Sequence, residues 1–126
     1  ASTLASLYER RELKQDDPYI LHPGKFILGQ TLERVALPFS DEECYAARVE
    51  GKSSLARCGL IVHFTAPTVH AGFSGPITLE IINLGAFPIA LHLGMPICQL
   101  IFEPVKGPIQ ETITQFHGQV TPEGLK

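Results

Sequence analysis

The residues with the clearest chemical potential lie in segment 51–57, Gly-Lys-Ser-Ser-Leu-Ala-Arg. It carries two cations, Lys52 and Arg57, and two hydroxyls, Ser53 and Ser54. Backbone amides in a glycine-led turn, hydroxyl donors and a lysine suit the oxygens of a phosphate group. The same residues also suit an ordinary helix start, with a serine as N-cap and the cations on a solvated surface. The spacing alone leaves both interpretations open.

Glu80 places a carboxylate inside the apolar segment 77–82. Strand alternation puts it on one face with Thr78 and Ile82. Carboxylates are rarely buried without a partner, so either this face is wet or Glu80 meets a cation such as Arg57. A half-buried carboxylate beside a cation suits a proton shuttle. A solvated sheet face is the alternative interpretation.

The cysteines and histidines predict no metal site. The three cysteines include no Cys-x-x-Cys pair, and no His-x-Glu is followed by paired cysteines. Both common zinc signatures are therefore absent from the sequence. We interpret the cysteines as small apolar side chains in a reducing cytoplasm. His63 lies beside apolar residues, a setting typical of a hydrogen-bonded structural histidine. No metal-ligand spacing relates the remaining histidines, His22, His70, His92 and His117.

Composition limits the class of protein. The chain has 126 residues, a net charge of −3, 44% apolar and 18% charged residues. That length suits one domain with a real core. The mild negative charge argues against a nucleic-acid partner, which normally selects a strongly basic face. No apolar run is long enough to cross a bilayer, and no secretion signal opens the chain. We therefore expect a cytoplasmic protein with no membrane partner.

Prolines and glycines divide the chain into short segments, which favours strands and turns. Residues 1–17 are the one helix-like stretch, and 54–58 could form a single helical turn. Apolar segments of strand length follow from Tyr19 onward, and 25–37 reads as two strands or one bent strand. The segments are 19–21, 26–28, 32–37, 44–49, 60–64, 77–82, 88–91 and 97–102. We predict one all-β domain, a sandwich, jelly roll or barrel. It comprises an N-terminal helix or arm (1–18), a β core (19–104) and a tail (105–126).

Several motifs, taken together, resemble the dCTP deaminase and dUTPase superfamily, and more closely the dCTP deaminases. The matching segments, in family order, are 20–24, 31–33, 51–60, 71–80, 94–100 and 116–119. The resemblance implies a distorted β jelly roll of the dUTPase-like (β-clip) type. It also implies a homotrimer with active sites at subunit interfaces. No zinc takes part in this family, and a magnesium ion travels with the triphosphate.

The resemblance also implies a role for each matching polar residue. Lys52, Ser53 and Ser54 would bind the triphosphate, with Lys52 in place of the family's usual Arg. Arg57 would orient Glu80, which would take a proton from the water attacking C4 of cytosine and then deliver protons to the ring and the leaving amine.

The remaining implied roles concern the base, the sugar and the closing of the site. Backbone groups of segment 63–66 would contact the base edge. Thr68 and His70 stand where the family often has an Arg and an Asp at the sugar and base. Gln119 would close over the nucleotide. The residues implied in substrate binding beside the phosphate segment are His63, Phe64, Ala66, Thr68, His70 and Gln119.

The expected reaction is deamination of dCTP to dUTP and ammonia, a step toward dTTP, which regulates some relatives. Glu80 favours this branch, because a dUTPase would have an apolar residue there and an Asp just before Gly72, where this chain has His70 and Ala71. Two alternatives remain. One is a non-catalytic trimeric nucleotide-binding homologue, suggested by Thr68, His70 and Gln115. The other is a dUTP pyrophosphatase or a bifunctional deaminase and pyrophosphatase.

Overall fold

The computed structural model describes residues 9–40 and 42–107, and they form short antiparallel strands with one helical turn. The elements are β1 (Tyr19–Leu21), β2 (Phe26–Ala36), β3 (Tyr45–Gly51), α1 (Ser53–Ala56), β4 (Leu60–Ile61), β5 (Thr68–Val69), β6 (Ser74–Asn83), β7 (Ile89–Leu91) and β8 (Cys98–Pro104). The all-β prediction is confirmed. No helix in the described ranges has the length and apolar character needed to span a bilayer.

Three small sheets share one hydrophobic core. Their strand orders are β1-β7, β2-β6-β4 and β5-β3-β8, and every pairing is antiparallel. Each sheet contributes buried side chains to the same cluster: Leu21 and Leu91, Leu60, Leu79 and Ile81, and Ala47, Val49 and Val69. Burial of these apolar side chains is the main favourable contribution to folding.

The longest pairing joins β2 to β6 and confirms that 25–37 holds one bent strand. Its register shifts between Gln30 and Arg34. At this bulge the backbone amide of Ile77 donates to the side-chain oxygen of Thr31 at 2.9 Å. The Thr31 hydroxyl in turn donates to the carbonyl of Glu33 at 2.8 Å. The side-chain oxygen of Thr31 thus replaces the backbone acceptor that the amide of Ile77 loses at the bulge.

Strand β6 has one buried and one half-open face. Ile77, Leu79 and Ile81 are 3–6% exposed, whereas Thr78, Glu80 and Ile82 are intermediate. The predicted alternation of segment 77–82 is confirmed, including the face that holds Glu80.

Some predicted boundaries are wrong. Segment 60–64 is a strand only over Leu60–Ile61. Beyond it the chain bends, and the carbonyl of Pro67 accepts a bond from the amide of Val49. Strand β5 was not predicted, because two residues are too short to show alternation.

The N-terminal segment is an arm in its described part. Residues 9–17 are not helical, and residues 1–8 lie outside the described ranges. The charged run at 9–12 offers no apolar face to pack. Arg11 instead pairs with Asp17 at 3.1 Å and lies over the ring of Tyr19 at 5.5 Å.

Asn83 ties the ends of several elements together from a fully buried position, with 0% exposure. Its side-chain amide donates to the carbonyls of Leu21 at 3.0 Å and Phe87 at 2.8 Å. Its side-chain oxygen accepts from the amide of Gly85 at 2.9 Å. The backbone carbonyl of Asn83 accepts from Gly24 at 2.7 Å. One residue therefore joins β1, the end of β6 and the approach to β7.

We predict that Asn83→Ala lowers the free energy of unfolding by about 3 kcal/mol, because it leaves buried carbonyls without donors. Urea denaturation followed by circular dichroism measures the loss. The control is Gln99→Ala, which removes an exposed 3.2 Å bond to the carbonyl of Gly51. We expect the control to lose less than about 1 kcal/mol. Equal losses in the two variants would contradict the role given to Asn83.

Candidate functional site

Segment 52–57 is held between β3 and β4 as one helical turn. Lys52 is the N-cap of α1, with extended backbone and no side-chain capping bond. Its carbonyl accepts from the amides of Leu55 at 3.0 Å and Ala56 at 2.9 Å. Ser53 and Ser54 are exposed, and no described residue bonds their hydroxyls. The interpretation of a serine as N-cap is therefore wrong, and both hydroxyls face outward.

Lys52 and Glu33 both lie close enough to Cys98 for their charges to act on its thiol. Gly51, the residue before Lys52, pairs with Cys98 across the β3–β8 ladder. Burial raises the pKa of the Cys98 thiol above its ordinary value, the Glu33 carboxylate raises it further, and the Lys52 ammonium lowers it. Within the described ranges Lys52 forms no ion pair. Its charge is available to an anionic ligand.

Arg57 is fixed by its backbone while its side chain stays exposed. It is the C-cap of α1 in right-handed helical conformation, and its amide donates to the carbonyl of Ser53 at 3.0 Å. The chain leaves through Gly59 at φ +96°, where an added Cβ would lie 2.2 Å from the backbone nitrogen of Gly85. Leu84 donates to the carbonyl of Gly59 at 2.8 Å. This close crossing requires glycine and fixes the turn that carries Arg57.

Glu80 sits in the middle of the half-open face of β6. Leu28 of β2 is directly opposite it, and Thr78 and Ile82 flank it on the same face. Among the described residues Glu80 has no hydrogen-bond or ion-pair partner, and no ion pair joins it to Arg57. The orientation of Glu80 by Arg57 stays a prediction.

Phe64 and Phe26 form an apolar pocket on this same face. Their rings meet edge to face, with centroids 6.4 Å apart and an interplanar angle of 84°. With Ile82 they line a pocket of about 330 Å³. Phe26 was missed in the sequence. The sequence shows only an aromatic residue at the start of an apolar segment. Its position opposite Ile82 can be recognised only when the register of β2 and β6 is known.

The other predicted residues are more scattered. His63 is half-buried. Its Nδ1 is inaccessible to solvent and has no hydrogen-bond partner in the described ranges, so the prediction of a hydrogen-bonded histidine is wrong for that atom. Ala66, Thr68 and His70 are exposed, with Thr68 on β5, in a different sheet from Glu80. Gln119 and Gln115 lie outside the described residues.

Two further observations concern metals and thiols. Within residues 9–40 and 42–107, no three His, Cys, Asp or Glu side chains are grouped so that they could hold a metal ion. Cys44 is buried, Cys58 is exposed and Cys98 is intermediate.

Comparisons with known proteins agree on one family. A family model described as dCTP deaminase-like matches residues 2–105. A protein of Methanosphaera stadtmanae is 40% identical over 120 residues, covering 90% of this chain and 59% of the relative. One of Dictyoglomus turgidum is 42% identical over 125 residues, covering 95% and 62%. One of Pseudarthrobacter chlorophenolicus is 53% identical over 91 residues, covering 72% and 46%. All three relatives bear the name dCTP deaminase, dUMP-forming.

Two solved dUTPases share the fold. The EIAV dUTPase superposes with a TM-score of 0.60 at 22% identity, covering 77% of this chain and 76% of that one. The dUTPase of Staphylococcus bacteriophage 80alpha, a mutant with dUpNHpp, gives 0.59 at 16%, covering 82% and 86%. The dUTPase-like jelly roll is thus confirmed. The chain spans about six tenths of the length of the relatives from Methanosphaera and Dictyoglomus.

The relatives also correct one expectation. We expected dUTP as the product, and the matched relatives are named for forming dUMP. The expectation of dUTP is therefore wrong. Its basis was Glu80 together with the missing Asp before Gly72, and neither feature reports on phosphate chemistry elsewhere in a site.

We predict that removing the charge of Glu33 and removing the charge of Lys52 have opposite effects on the reactivity of the Cys98 thiol. Glu33→Gln removes a charge that disfavours the thiolate, so it lowers the pKa of Cys98 and speeds alkylation at pH 8 by roughly twofold at low salt. Lys52→Met removes a charge that favours the thiolate and slows alkylation by a similar factor. Peptide mass spectrometry after timed iodoacetamide exposure measures both rates. Lys106→Met is the control, and unchanged rates in the two test variants would contradict the placement.

Proposed function

The chain belongs to the dCTP deaminase-like family, and from that membership we propose that it converts dCTP to dUMP. One water replaces the 4-amino group, which leaves as ammonia, and a second water cleaves the bond between the α- and β-phosphates, releasing diphosphate. The names of the matched relatives support this overall reaction. The observation that carries it in this chain is Glu80, a carboxylate without a described partner on a half-open, otherwise largely apolar face.

Glu80 is the proposed general base and acid of the deamination. Its carboxylate accepts one proton from the water that attacks C4 of cytosine and passes it to ring atom N3. It then accepts the second proton from the hydroxyl now on C4 and passes it to the amine, so that ammonia leaves as the C4 carbonyl forms. The apolar neighbours Leu28 and Ile82 limit the water around it, which strengthens its interactions with the reacting atoms.

The phosphates are proposed to bind segment 52–54. The outward hydroxyls of Ser53 and Ser54 are free to donate to phosphate oxygens, and the Lys52 ammonium supplies a charge. Lysine keeps the charge of the family's arginine without its planar fork, so it contacts one oxygen at a time. Because the chain carries a net charge of −3, the substrate is proposed to arrive with Mg²⁺ on its triphosphate, which offsets the repulsion.

The complete site is proposed to form between subunits of a homotrimer. Within one chain Arg57 and Glu80 form no ion pair in the described ranges, and Thr68 lies on another sheet. A neighbouring subunit can bring such separated groups, and the closing residue Gln119, around one nucleotide. We also propose a cytoplasmic location, since the exposed free thiol of Cys58 suits a reducing compartment.

We predict that Glu80→Gln lowers ammonia release from dCTP and Mg²⁺ by about 10²- to 10⁴-fold, because the amide cannot accept the proton of the attacking water. A coupled ammonia assay measures the rate, and chromatography separates dUMP from dUTP. Urea denaturation checks that the variant stays folded.

The matched control is Glu103→Gln, which removes a carboxylate of β8 that pairs with Arg48 at the surface. It should keep nearly the full rate, since exposed ion pairs contribute little. An undiminished rate in Glu80→Gln would refute the role of Glu80. Accumulation of dUTP in place of dUMP in the unmodified protein would refute the proposed product.

The assembly gives a separate expected outcome. Light scattering at micromolar concentration should give three times the mass of the 13.8 kDa chain, because the site needs groups from neighbouring subunits. A monomer at that concentration, with full activity, would contradict the shared site.

A further inference from the structure

The half-open face that holds Glu80 is polar at one end. Residues that pair directly across two strands project from the same side of the sheet. Three successive pairs of β2 and β6 therefore share this face: Phe26 with Ile82, Leu28 with Glu80, and Gln30 with Thr78. Among these six residues the polar ones are Glu80, Gln30 and Thr78. The carboxylate thus has apolar neighbours toward one end of the ladder, and an amide and a hydroxyl toward the other.

Gln30 lies within reach of Glu80 across the ladder. The two residues are diagonal neighbours in adjacent steps of the register. Such neighbours lie about 7–8 Å apart, a separation that long side chains span. Gln30 is exposed and Glu80 is half-buried, so both side chains are accessible to water. One water molecule between them can therefore contact the carboxylate and the amide together.

The bulge of β2 fixes the backbone that carries Gln30. The pairing of Gln30 is the last before the register of the two strands shifts. The next residue, Thr31, accepts from the amide of Ile77 at 2.9 Å and donates to the carbonyl of Glu33 at 2.8 Å. Bulges beside active sites often redirect a side chain. Gln30 is therefore held at a defined position relative to Glu80.

A water that attacks a ring carbon has to be oriented as well as deprotonated. One of its hydrogens points at the base, Glu80, and its lone pair must face C4. The second hydrogen then needs an acceptor elsewhere. The side-chain oxygen of a glutamine accepts hydrogen bonds through two lone pairs, and its amide nitrogen donates two more. A bond from the water is therefore compatible with the other contacts of Gln30.

We propose that Gln30 orients the attacking water of the deamination, its side-chain oxygen accepting the hydrogen that Glu80 does not take first. The inference rests on the proposed function, which supplies the water and its target, C4. As the bond from oxygen to C4 forms, the first proton passes to Glu80 and on to N3. The second proton stays on the oxygen, bonded to Gln30, until the hydroxyl gives it to Glu80 and ammonia leaves. Gln30 itself neither gains nor loses a proton.

Two substitutions test the inference in the full chain with dCTP and Mg²⁺. Gln30→Met keeps the length of the side chain and removes the acceptor, whereas Gln30→Asn keeps the amide on a side chain one methylene shorter. We expect Gln30→Met to lower kcat for ammonia release about tenfold, the effect of one lost hydrogen bond. KM should stay within about twofold, because the lost contact is to the water and not to the nucleotide. Gln30→Asn should lose less than Gln30→Met.

The order of the two variants separates an orienting role from a merely structural one. If Gln30 only packed on the sheet, methionine would be tolerated and the shorter asparagine would be the more harmful change. The matched control is Gln15→Met, which makes the same change in an exposed turn of the N-terminal arm and should keep the full rate. An unchanged kcat in Gln30→Met, a larger loss in Gln30→Asn, or a loss confined to KM would overturn the inference.

Failure of the proposed function has a different signature. If the unmodified chain releases no ammonia from dCTP, the proposed reaction fails, and a crystal structure of the unmodified protein then decides on Gln30. A water within about 3.2 Å of both the Glu80 carboxylate and the Gln30 side-chain oxygen, lost in Gln30→Met, would support the placement without the reaction. The absence of a shared water, or its persistence in Gln30→Met, would overturn the placement.

Discussion

The register between β2 and β6 is the constraint on which the rest of the site depends. Burial of Ile77, Leu79 and Ile81 in the shared core fixes which face of β6 points inward. Since side chains alternate, the opposite face must carry Glu80. A slip of one residue would bury the carboxylate and expose the core, at a large cost in free energy. Packing of the core therefore also places the Glu80 carboxylate on the half-open face of β6.

Two local features stabilise that arrangement at the C-terminal end of β6. Asn83 fills a fully buried position and satisfies carbonyls from β1 and from the approach to β7. The crossing of Gly59 and Gly85 then lets the chain pass close enough to set α1 beside the sheet. The phosphate-binding candidates and the carboxylate are held by separate elements joined through this junction. Rigid separation of this kind suits a site completed by a neighbouring subunit.

Much of this could be derived from residue patterns. The alternation of 77–82 predicted the face of Glu80, and the grouped motifs predicted the dUTPase-like fold. The tertiary features were harder. β5 has two residues and shows no period, and Phe26 gains meaning only from its pairing with Ile82. The helix-like spacing near the N-terminus comes from apolar residues within 1–8, which lie outside the described ranges, whereas the charged run at 9–12 has no apolar face to hold a helix. The product was misjudged because Glu80 and the missing Asp before Gly72 each describe one position, whereas phosphate cleavage depends on the whole assembled site.

The most direct test of the central claim is a crystal structure of Glu80→Gln with dCTP and Mg²⁺. We expect the phosphates to contact Lys52, Ser53 and Ser54, and C4 of cytosine to lie within reach of residue 80 through one water. A nucleotide bound on another sheet, or one whose base turns away from β6, would contradict the account.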